Sequence, residues 1–140
     1  MALPAEHRVR VRYAETDQMG VVYHANYLVY MEEARTRFLE GVGFRYADLE
    51  RRGFGLAVRK AELRYRAPAV YDDELLIHTT VRRVGGASVV FDYRILRAAD
   101  EALLVEGNVE LACLDLGAES PRPTFMPEEV RLALEARLAE

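Results

Sequence analysis

The sequence predicts a single α+β domain in which a curved, five-stranded antiparallel sheet wraps around one long helix. Its 140 residues suit one domain, since two ordinary domains need a longer chain. One segment has the spacing of an amphipathic helix, and four alternating segments joined by short turns follow it. With 51% hydrophobic and 30% charged residues, the chain can form a packed core. We expect this core to cover residues 7–118, with a tail over residues 119–140.

The first strand and the loop after it are predicted from a change in pattern. From His7 to Tyr13 apolar residues alternate with arginines, which is the period of a strand with one buried face. The segment Ala14–Ala25 has no such period and contains Gly20, so we expect a loop there. Asn26 then has the side chain of a helix N-cap, which accepts from the amides left free at the start of a helix.

The long helix is predicted from apolar residues at helical spacing, with charged residues on the opposite face. The expected buried residues are Tyr27, Tyr30, Met31, Ala34 and Phe38. Gly41 and Gly43 stand where helices commonly end. The segment Tyr46–Arg52 can add one or two further helical turns before Gly53.

Four more strands account for most of the remaining chain, because apolar residues alternate along each of them. They are expected at Phe54–Ala67, Leu75–Val84, Ser88–Arg97 and Leu103–Asp115. The Gly85-Gly86 pair favours a tight hairpin, and short connections make the pairing of these strands antiparallel. Prolines interrupt the tail, and a short closing helix is expected over Glu128–Leu138, with Pro127 at its first turn.

Composition and charge exclude several classes of function. The net charge of −4 and the pI of about 5.5 argue against general nucleic-acid binding, which normally relies on a basic excess. Cys113 is the single cysteine, so we expect neither an internal disulfide nor a cysteine-based zinc site. His7 and His78 lack partners at metal-ligand spacing, and no metal is expected. No segment has the apolar length of a membrane span or of a signal peptide, so a cytoplasmic protein is expected.

A carboxylate beside the start of the long helix is the clearest candidate for chemistry. Asp17 lies in the glycine-containing loop, and the first amides of a helix have no partner within the helix. Acyl transfer needs both groups: a nucleophile or base, and donors for the oxyanion that develops. The simpler alternative is that Asp17 only caps a turn. No serine nucleophile is indicated, because Ser88 and Ser120 lack the G-x-S-x-G turn of many serine hydrolases.

The loop and the helix start carry a motif of fixed spacing. It runs Arg10-Val11, four residues, Thr16-Asp17, two residues, Gly20-Val21-Val22, one residue, His24, two residues, Tyr27. This motif resembles the signature of the 4-hydroxybenzoyl-CoA thioesterase family, whose members are hotdog-fold acyl-CoA thioesterases, and most of all its YbgC-type branch. The resemblance covers residues 9–123 and includes Tyr30, Glu33-Ala34-Arg35, Phe38-Leu39, Val58-Arg59-Lys60, Tyr65, Ala67-Pro68-Ala69, Asp72-Asp73 and Ser88.

The resemblance implies hydrolysis of an acyl-CoA thioester to a free carboxylic acid and CoA. It implies that Asp17 is the catalytic carboxylate, acting either as the nucleophile on the thioester or as the general base for water. Backbone amides near Tyr23 and His24 would polarise the thioester carbonyl, and the Gly20-Val21-Val22 segment would line the substrate site. We interpret the His24 side chain as a pocket residue that orients the loop or the substrate, with acid–base catalysis as the alternative.

The phosphates of CoA call for basic residues at the mouth of the pocket. The residues that the resemblance implies for substrate binding are Arg59, Lys60, Arg83, Ser88 and Arg122. Some relatives have a basic cluster where this chain has Gly85-Gly86, which weakens the case for phosphate contacts there. The alternative for each arginine is a solvated charge on the sheet surface. No cofactor is expected, because CoA is part of the substrate.

Two other functions are compatible with the same fold. A hotdog dehydratase or hydratase usually needs a histidine paired with an acidic residue, and the Asp17 motif differs from that pattern. A non-catalytic acyl-CoA-binding module is normally fused to a DNA-binding or partner domain, for which 140 residues leave no room. The sequence leaves open whether the acyl group is aromatic or short and aliphatic, and whether its carrier is CoA or an acyl carrier protein.

An assembly is predicted because one helix cannot cover both faces of the sheet. Val58, Val90 and Leu104 are expected on the uncovered face, where they would need a partner. We expect a two-fold dimer in which the strands around Phe54–Tyr65 pair edge to edge. The resemblance implies the same dimer, with Asp17 of one subunit facing Arg59 and Lys60 of the other, and suggests that dimers pair into a tetramer.

Overall fold

The computed structural model describes residues 5–139, which form one sheet, one long helix and two short helices. The strands are β1 (Ala5–Arg10), β2 (Phe54–Tyr65), β3 (Glu74–Val84), β4 (Ser88–Arg97), β5 (Leu103–Asp115) and β6 (Arg122–Pro123). The helices are α1 (Asn26–Gly41), α2 (Tyr46–Arg51) and α3 (Glu128–Glu135), and a 3-10 turn covers Tyr13–Glu15. The predicted order of strand, long helix and four strands is confirmed.

The sheet is antiparallel and has the order β1-β3-β4-β5-β2, with the two-residue β6 beside one end of β5. Strands β3, β4 and β5 follow one another as hairpins, whereas β2 lies beside β5 at an edge of the sheet. The register shifts between Val58 and Lys60 in β2 and between Val81 and Arg83 in β3. Such bulges increase the local twist and bend of a strand, which accounts for the predicted curvature.

The core lies between α1 and one face of the sheet. Helix α1 buries its predicted stripe together with one more residue: Tyr27, Tyr30, Met31, Ala34, Phe38 and Leu39. The central strands contribute alternate residues: Leu75, Ile77, Thr79, Val81, Val89, Phe91, Tyr93, Ile95, Val105, Val109, Leu111 and Cys113. Helix α3 adds Val130 and Leu134. The period-2 and period-3.6 patterns therefore identified the two surfaces that meet.

Two predicted details near the N-terminus are wrong. Strand β1 ends at Arg10, and Tyr13 begins the 3-10 turn with 78% of its surface exposed. The partner strand β3 begins at Glu74, opposite Arg10, so beyond this pair the Val11 N–H donates to a loop residue, the carbonyl of Asp73, at 2.9 Å. Asn26 is the first residue of α1 and not its N-cap, a position held by Ala25.

The expectation that Val90 and Leu104 need cover from another subunit is also wrong. Val90 is 4% and Leu104 0% exposed within the single chain, whereas Val58 is 52% exposed as expected. The Arg83 side chain crosses β4 at Val90 to reach Glu110, so its stem shields that valine. The backbone after β2 folds onto Leu104, whose carbonyl accepts from the N–H groups of the two residues that follow β2.

The tail departs from prediction in one further respect. Arg122 and Pro123 form β6, which pairs with Leu114 and Asp115 at the end of β5. Proline is compatible with such an edge position because no donor is needed on its outer side. The closing helix is confirmed, although it ends at Glu135 and is shorter than predicted.

Candidate active site

The loop between β1 and α1 is folded on itself by backbone hydrogen bonds. The Asp17 N–H donates to the carbonyl of Val21 at 2.8 Å, and the Gly20 N–H donates back to the carbonyl of Asp17 at 2.9 Å. Gly20 has a φ of +82°, a conformation that residues with a side chain rarely adopt. The Val22 N–H donates to the carbonyl of Ala69 at 2.9 Å. The loop therefore holds Asp17 at a defined place beside the segment that follows β2.

Asp17 lies at one wall of an open, largely apolar cleft of about 330 Å³. Its Oδ1 accepts from the N–H of Met19 at 2.9 Å, which fixes one carboxylate oxygen. The residues that line the cleft are Asp17, Met19, Val21, Val22, His24, Tyr27, Tyr65, Arg66, Ala67 and Pro68. The cleft thus combines one carboxylate with a surface suited to an acyl group.

Aromatic side chains form the wall of the cleft nearest to α1. The Tyr65 hydroxyl donates to the carbonyl of His24 at 3.2 Å, and the rings of Tyr27 and Tyr65 are 5.7 Å apart. The Tyr27 hydroxyl accepts from the N–H of Ala69 at 3.2 Å, and burial raises its pKa. Tyr23 packs against the His24 ring at 4.4 Å. Among residues 5–139 the His24 ring has no hydrogen bond to Asp17, so the two do not form a dyad.

The amides at the start of α1 differ in their availability as oxyanion donors. The Tyr23 N–H donates to the carbonyl of Glu15 at 2.9 Å and is therefore occupied. The N–H of His24 has no acceptor within the described part of the chain. Of the two predicted donors, the His24 amide is the one free to bind a developing negative charge.

The predicted phosphate-binding residues on the sheet are engaged in ion pairs. Arg59 Nε and Arg83 Nη2 contact the two oxygens of Glu110 at 2.6 and 2.7 Å. The Lys60 Nζ is 3.2 Å from Glu62 Oε1. The hydrogen bond from Arg59, together with the charges of Arg59 and Arg83, lowers the pKa of Glu110. These cations already have an acidic partner on the sheet surface.

The predicted site residues fall into two groups within one chain. Asp17, the Gly20-Val21-Val22 segment and His24 surround or adjoin the cleft, together with Tyr23. Lys60 is five residues along β2 from Tyr65, which corresponds to about 17 Å. Ser88 and Arg122 lie still further away, near the Gly85-Gly86 hairpin: Ser88 pairs with Ala112 and Arg122 with Asp115. One subunit does not bring the two groups together.

Sequence reasoning missed the contribution of Glu15 to this site. Its carbonyl accepts from the Asn26 side chain at 2.8 Å, and its carboxylate accepts from the Tyr30 hydroxyl at 3.0 Å. The spacing of four between Asn26 and Tyr30 was the available signal, because it places both side chains on one face of a helix.

Residues 5–139 contain neither a candidate metal site nor a helix that could span a membrane. In this range no group of three or more His, Cys, Asp and Glu side chains is placed to hold a metal ion. No helix in the same range has the length and apolar character needed to cross a membrane.

Comparisons with known proteins identify the family and the fold of this chain. The family model of the thioesterase-like superfamily matches residues 11–134. The acyl-CoA thioesterase YbgC of Haemophilus influenzae is 38% identical over 126 residues, which cover 89% of this chain and 90% of that protein. The acyl-CoA thioester hydrolase YbgC of Escherichia coli O157:H7 is 41% identical over 114 residues, or 81% of this chain and 84% of that protein.

A solved structure is similar along the whole chain. The crystal structure of a hypothetical protein from Thermus thermophilus matches with a TM-score of 0.89 and 36% identity, over 99% of this chain and 100% of that one. The resemblance to YbgC-type enzymes, the hotdog fold and the assignment to the thioester hydrolases are confirmed by these comparisons. This chain belongs to the thioesterase-like superfamily.

Proposed function

We propose that this protein hydrolyses acyl-CoA thioesters to the free carboxylic acid and CoA, with Asp17 as its catalytic carboxylate. The observation that carries the proposal is the position of Asp17, at the wall of an apolar cleft beside the start of α1. A carboxylate there can reach a thioester carbonyl whose acyl group occupies the apolar surface. The amides at the positive end of α1 favour the ionised form of such a carboxylate and a developing oxyanion.

Two routes use the same groups. In the first, an Asp17 oxygen attacks the thioester carbon, the C–S bond breaks with its electron pair on sulfur, and water hydrolyses the resulting anhydride. In the second, Asp17 takes a proton from water, whose oxygen attacks the carbonyl carbon directly, and the C–S bond then breaks with its electron pair on sulfur. In both routes the leaving thiolate is protonated, and the His24 amide donates to the carbonyl oxygen as it becomes negative. His24 then acts through its backbone, while its ring forms part of the pocket wall.

A dimer would complete the site. In the described chain β2 is an edge strand with an exposed Val58, so an antiparallel β2–β2 pair would continue the sheet. We propose a register of this pair that is offset toward Tyr65, so that the Lys60 region of one subunit lies near the Tyr65 end of the other. Arg59 and Lys60 of the second subunit would then lie near Asp17 and contact the CoA phosphates. We include pairing of dimers into a tetramer in the proposal.

Other features expected from the sequence remain proposals as well. Arg83, Ser88 and Arg122 would contribute to CoA binding from the hairpin end of a neighbouring subunit. No cofactor is required, because the carboxylate and the amides supply the chemistry. The cytoplasmic location stays a prediction.

The test is release of free CoA thiol from a panel of aromatic and aliphatic acyl-CoAs of different length. We expect turnover by the natural protein and its loss in Asp17→Asn. Binding of acyl-CoA without turnover would identify a binding module, and hydration of a 2-enoyl-CoA without thiol release would identify a hydratase. Repeating the assay with the same acyl groups attached to acyl carrier protein shows which of the two carriers the enzyme uses.

A further inference from the structure

Glu15 joins the catalytic loop to α1 through both its backbone and its side chain. Its carbonyl oxygen accepts from the Tyr23 N–H at 2.9 Å and from Nδ2 of Asn26 at 2.8 Å. Its Oε1 accepts from the Tyr30 hydroxyl at 3.0 Å and from the Arg12 N–H at 2.7 Å. Glu15 therefore accepts four hydrogen bonds, and two of their donors are side chains of α1.

Tyr30 holds the carboxylate from within the core. Its side chain is 3% exposed, and it lies one helical turn after Asn26 on the same face of α1. Burial and the hydrogen bond to Glu15 both raise the pKa of Tyr30, so its hydroxyl stays protonated and donates. A hydrogen bond to a carboxylate group in a partly buried place is stronger than a neutral one in water.

The two groups proposed for catalysis are both connected to Glu15, one through the chain and one through a hydrogen bond. Asp17 follows two residues later, and the His24 amide follows Tyr23, whose own amide is bound to the Glu15 carbonyl. A displacement of Glu15 would therefore move the carboxylate and the oxyanion donor relative to α1 and to each other. Misplacement of a reacting group by about 1 Å can lower a rate by ~10²-fold.

We propose that Glu15 and Tyr30 are positioning residues, which fix the catalytic loop against α1 so that Asp17 and the His24 amide face the same thioester. This inference rests on the proposed function, since it assigns how the proposed catalytic groups are held. Glu15 and Tyr30 act through the loop and do not contact the substrate.

The first test is Tyr30→Phe, which removes the hydroxyl and keeps the buried ring. We expect kcat to fall ~10-fold while KM for the acyl-CoA stays within about twofold, because the apolar cleft is unchanged. The matched control is Tyr93→Phe. Tyr93, on β4, is also buried, and among residues 5–139 its hydroxyl takes no part in the hydrogen bonds of Glu15. We expect the control to retain its kcat.

The second test uses the conservative replacement of Glu15. Gln keeps a side-chain oxygen that accepts from both donors, so Glu15→Gln is expected to lose less than about threefold in kcat. Glu15→Ala is expected to lose at least as much as Tyr30→Phe. In a protein that already carries Glu15→Ala, Tyr30→Phe should lower kcat little further, because the partner of the hydroxyl is already absent.

Three outcomes separate this inference from the function on which it rests. If the natural protein releases no CoA thiol from any acyl-CoA, the proposed function fails. If it is active and Asp17→Asn is inactive, but Tyr30→Phe and Glu15→Ala retain full kcat, only the positioning role is overturned. A loss of kcat in Tyr30→Phe that matches the loss in Tyr93→Phe also overturns it, because a general packing defect then explains both.

Discussion

Two regions along β2, its Tyr65 end and its middle around Arg59 and Lys60, hold their charged groups in different ways. At the Tyr65 end, the Asp17 carboxylate accepts from the backbone amide of Met19, two residues away, and faces an apolar cleft. Around Arg59 and Lys60, the cations are tied to Glu110 and Glu62 on the sheet surface. The first arrangement is local in sequence and leaves a carboxylate oxygen free for chemistry. The second depends, for Arg59, on a residue 51 positions away, and it already pairs the charges that were expected to bind phosphate.

The role of a motif residue can be assigned by resemblance more securely when its position depends on its own loop than when it depends on distant residues. The position of Asp17 follows from a short loop whose turns are encoded by its own residues. The role of Arg59 depends on whether a phosphate competes with Glu110, which lies 51 residues away.

The largest effect is expected at Asp17. Asp17→Asn should lower kcat by ~10²–10⁴-fold, because the amide is neither a nucleophile nor a base. The fold should persist, since an Asn oxygen can still accept from the Met19 N–H. The matched control is Asp115→Asn at the other end of the sheet, where Oδ1 accepts from the Gly117 N–H at 2.9 Å in the same local pattern. Steady-state thiol release and thermal melting check both variants.

A folded Asp17→Asn protein with a kcat close to that of the natural protein would show that Asp17 is not the catalytic carboxylate. Equal losses in the two Asn variants would show that the local turn, and not the carboxylate, is what matters.

The next largest effect is expected at Gly20. Its φ of +82° disfavours a β-branched residue, although a Cβ there would meet no atom within 4 Å. Gly20→Val should therefore distort the loop and lower kcat/KM by ~10-fold or more, with a smaller effect on Tm. Asn tolerates this region of φ better, so Gly20→Asn should retain more activity. A loss in Tm large enough to explain the loss in kcat/KM would show that Gly20 has only a structural role.

Mixed subunits test whether Asp17 of one subunit and Arg59 of the other form one site. Arg59→Ala alone should raise KM for acyl-CoA by about tenfold with kcat unchanged, because a charged hydrogen bond is lost. A mixture of Asp17→Asn and Arg59→Ala subunits should contain heterodimers with one intact site, and so exceed the average of the two separate variants at low substrate. Activity equal to that average, or a fully active monomer of about 16 kDa by sedimentation, would contradict the shared site.

The smallest effect concerns Glu110 and acid stability. Its pKa is lowered below the ordinary value of 4.5, so its ion pairs stabilise the fold fully above that pH. This contribution is lost as the pH falls through the lowered pKa, because protonation then costs the interaction with Arg59 and Arg83. Glu110→Gln should therefore show a smaller drop in Tm than the natural protein between pH 6 and pH 3. Exposed Glu119→Gln is the control and should leave the drop unchanged.

The sequence by itself determined the order of elements and the face that each buries. Alternation along β3, β4 and β5 and the helical spacing from Tyr27 to Phe38 are local signals, and they were sufficient because burial of one face sets the period. The turn at Asp17 is also local, since the Asp17 and Gly20 amides donate within four residues, whereas Val22 is anchored to the distant Ala69. The end of β1 was misjudged because the exit of the chain at Val11 depends on Asp73, 62 residues away.

Only the tertiary structure decided which groups meet across the chain. It covered Val90 with the Arg83 side chain, occupied Arg59 with Glu110, and satisfied the Tyr23 amide with the Glu15 carbonyl. It also placed the Tyr30 hydroxyl on the Glu15 carboxylate. The physical reason is common to all four. A hydrogen bond or ion pair depends on the distance between two atoms in space, and a sequence pattern specifies that distance only for residues that are close neighbours along one element.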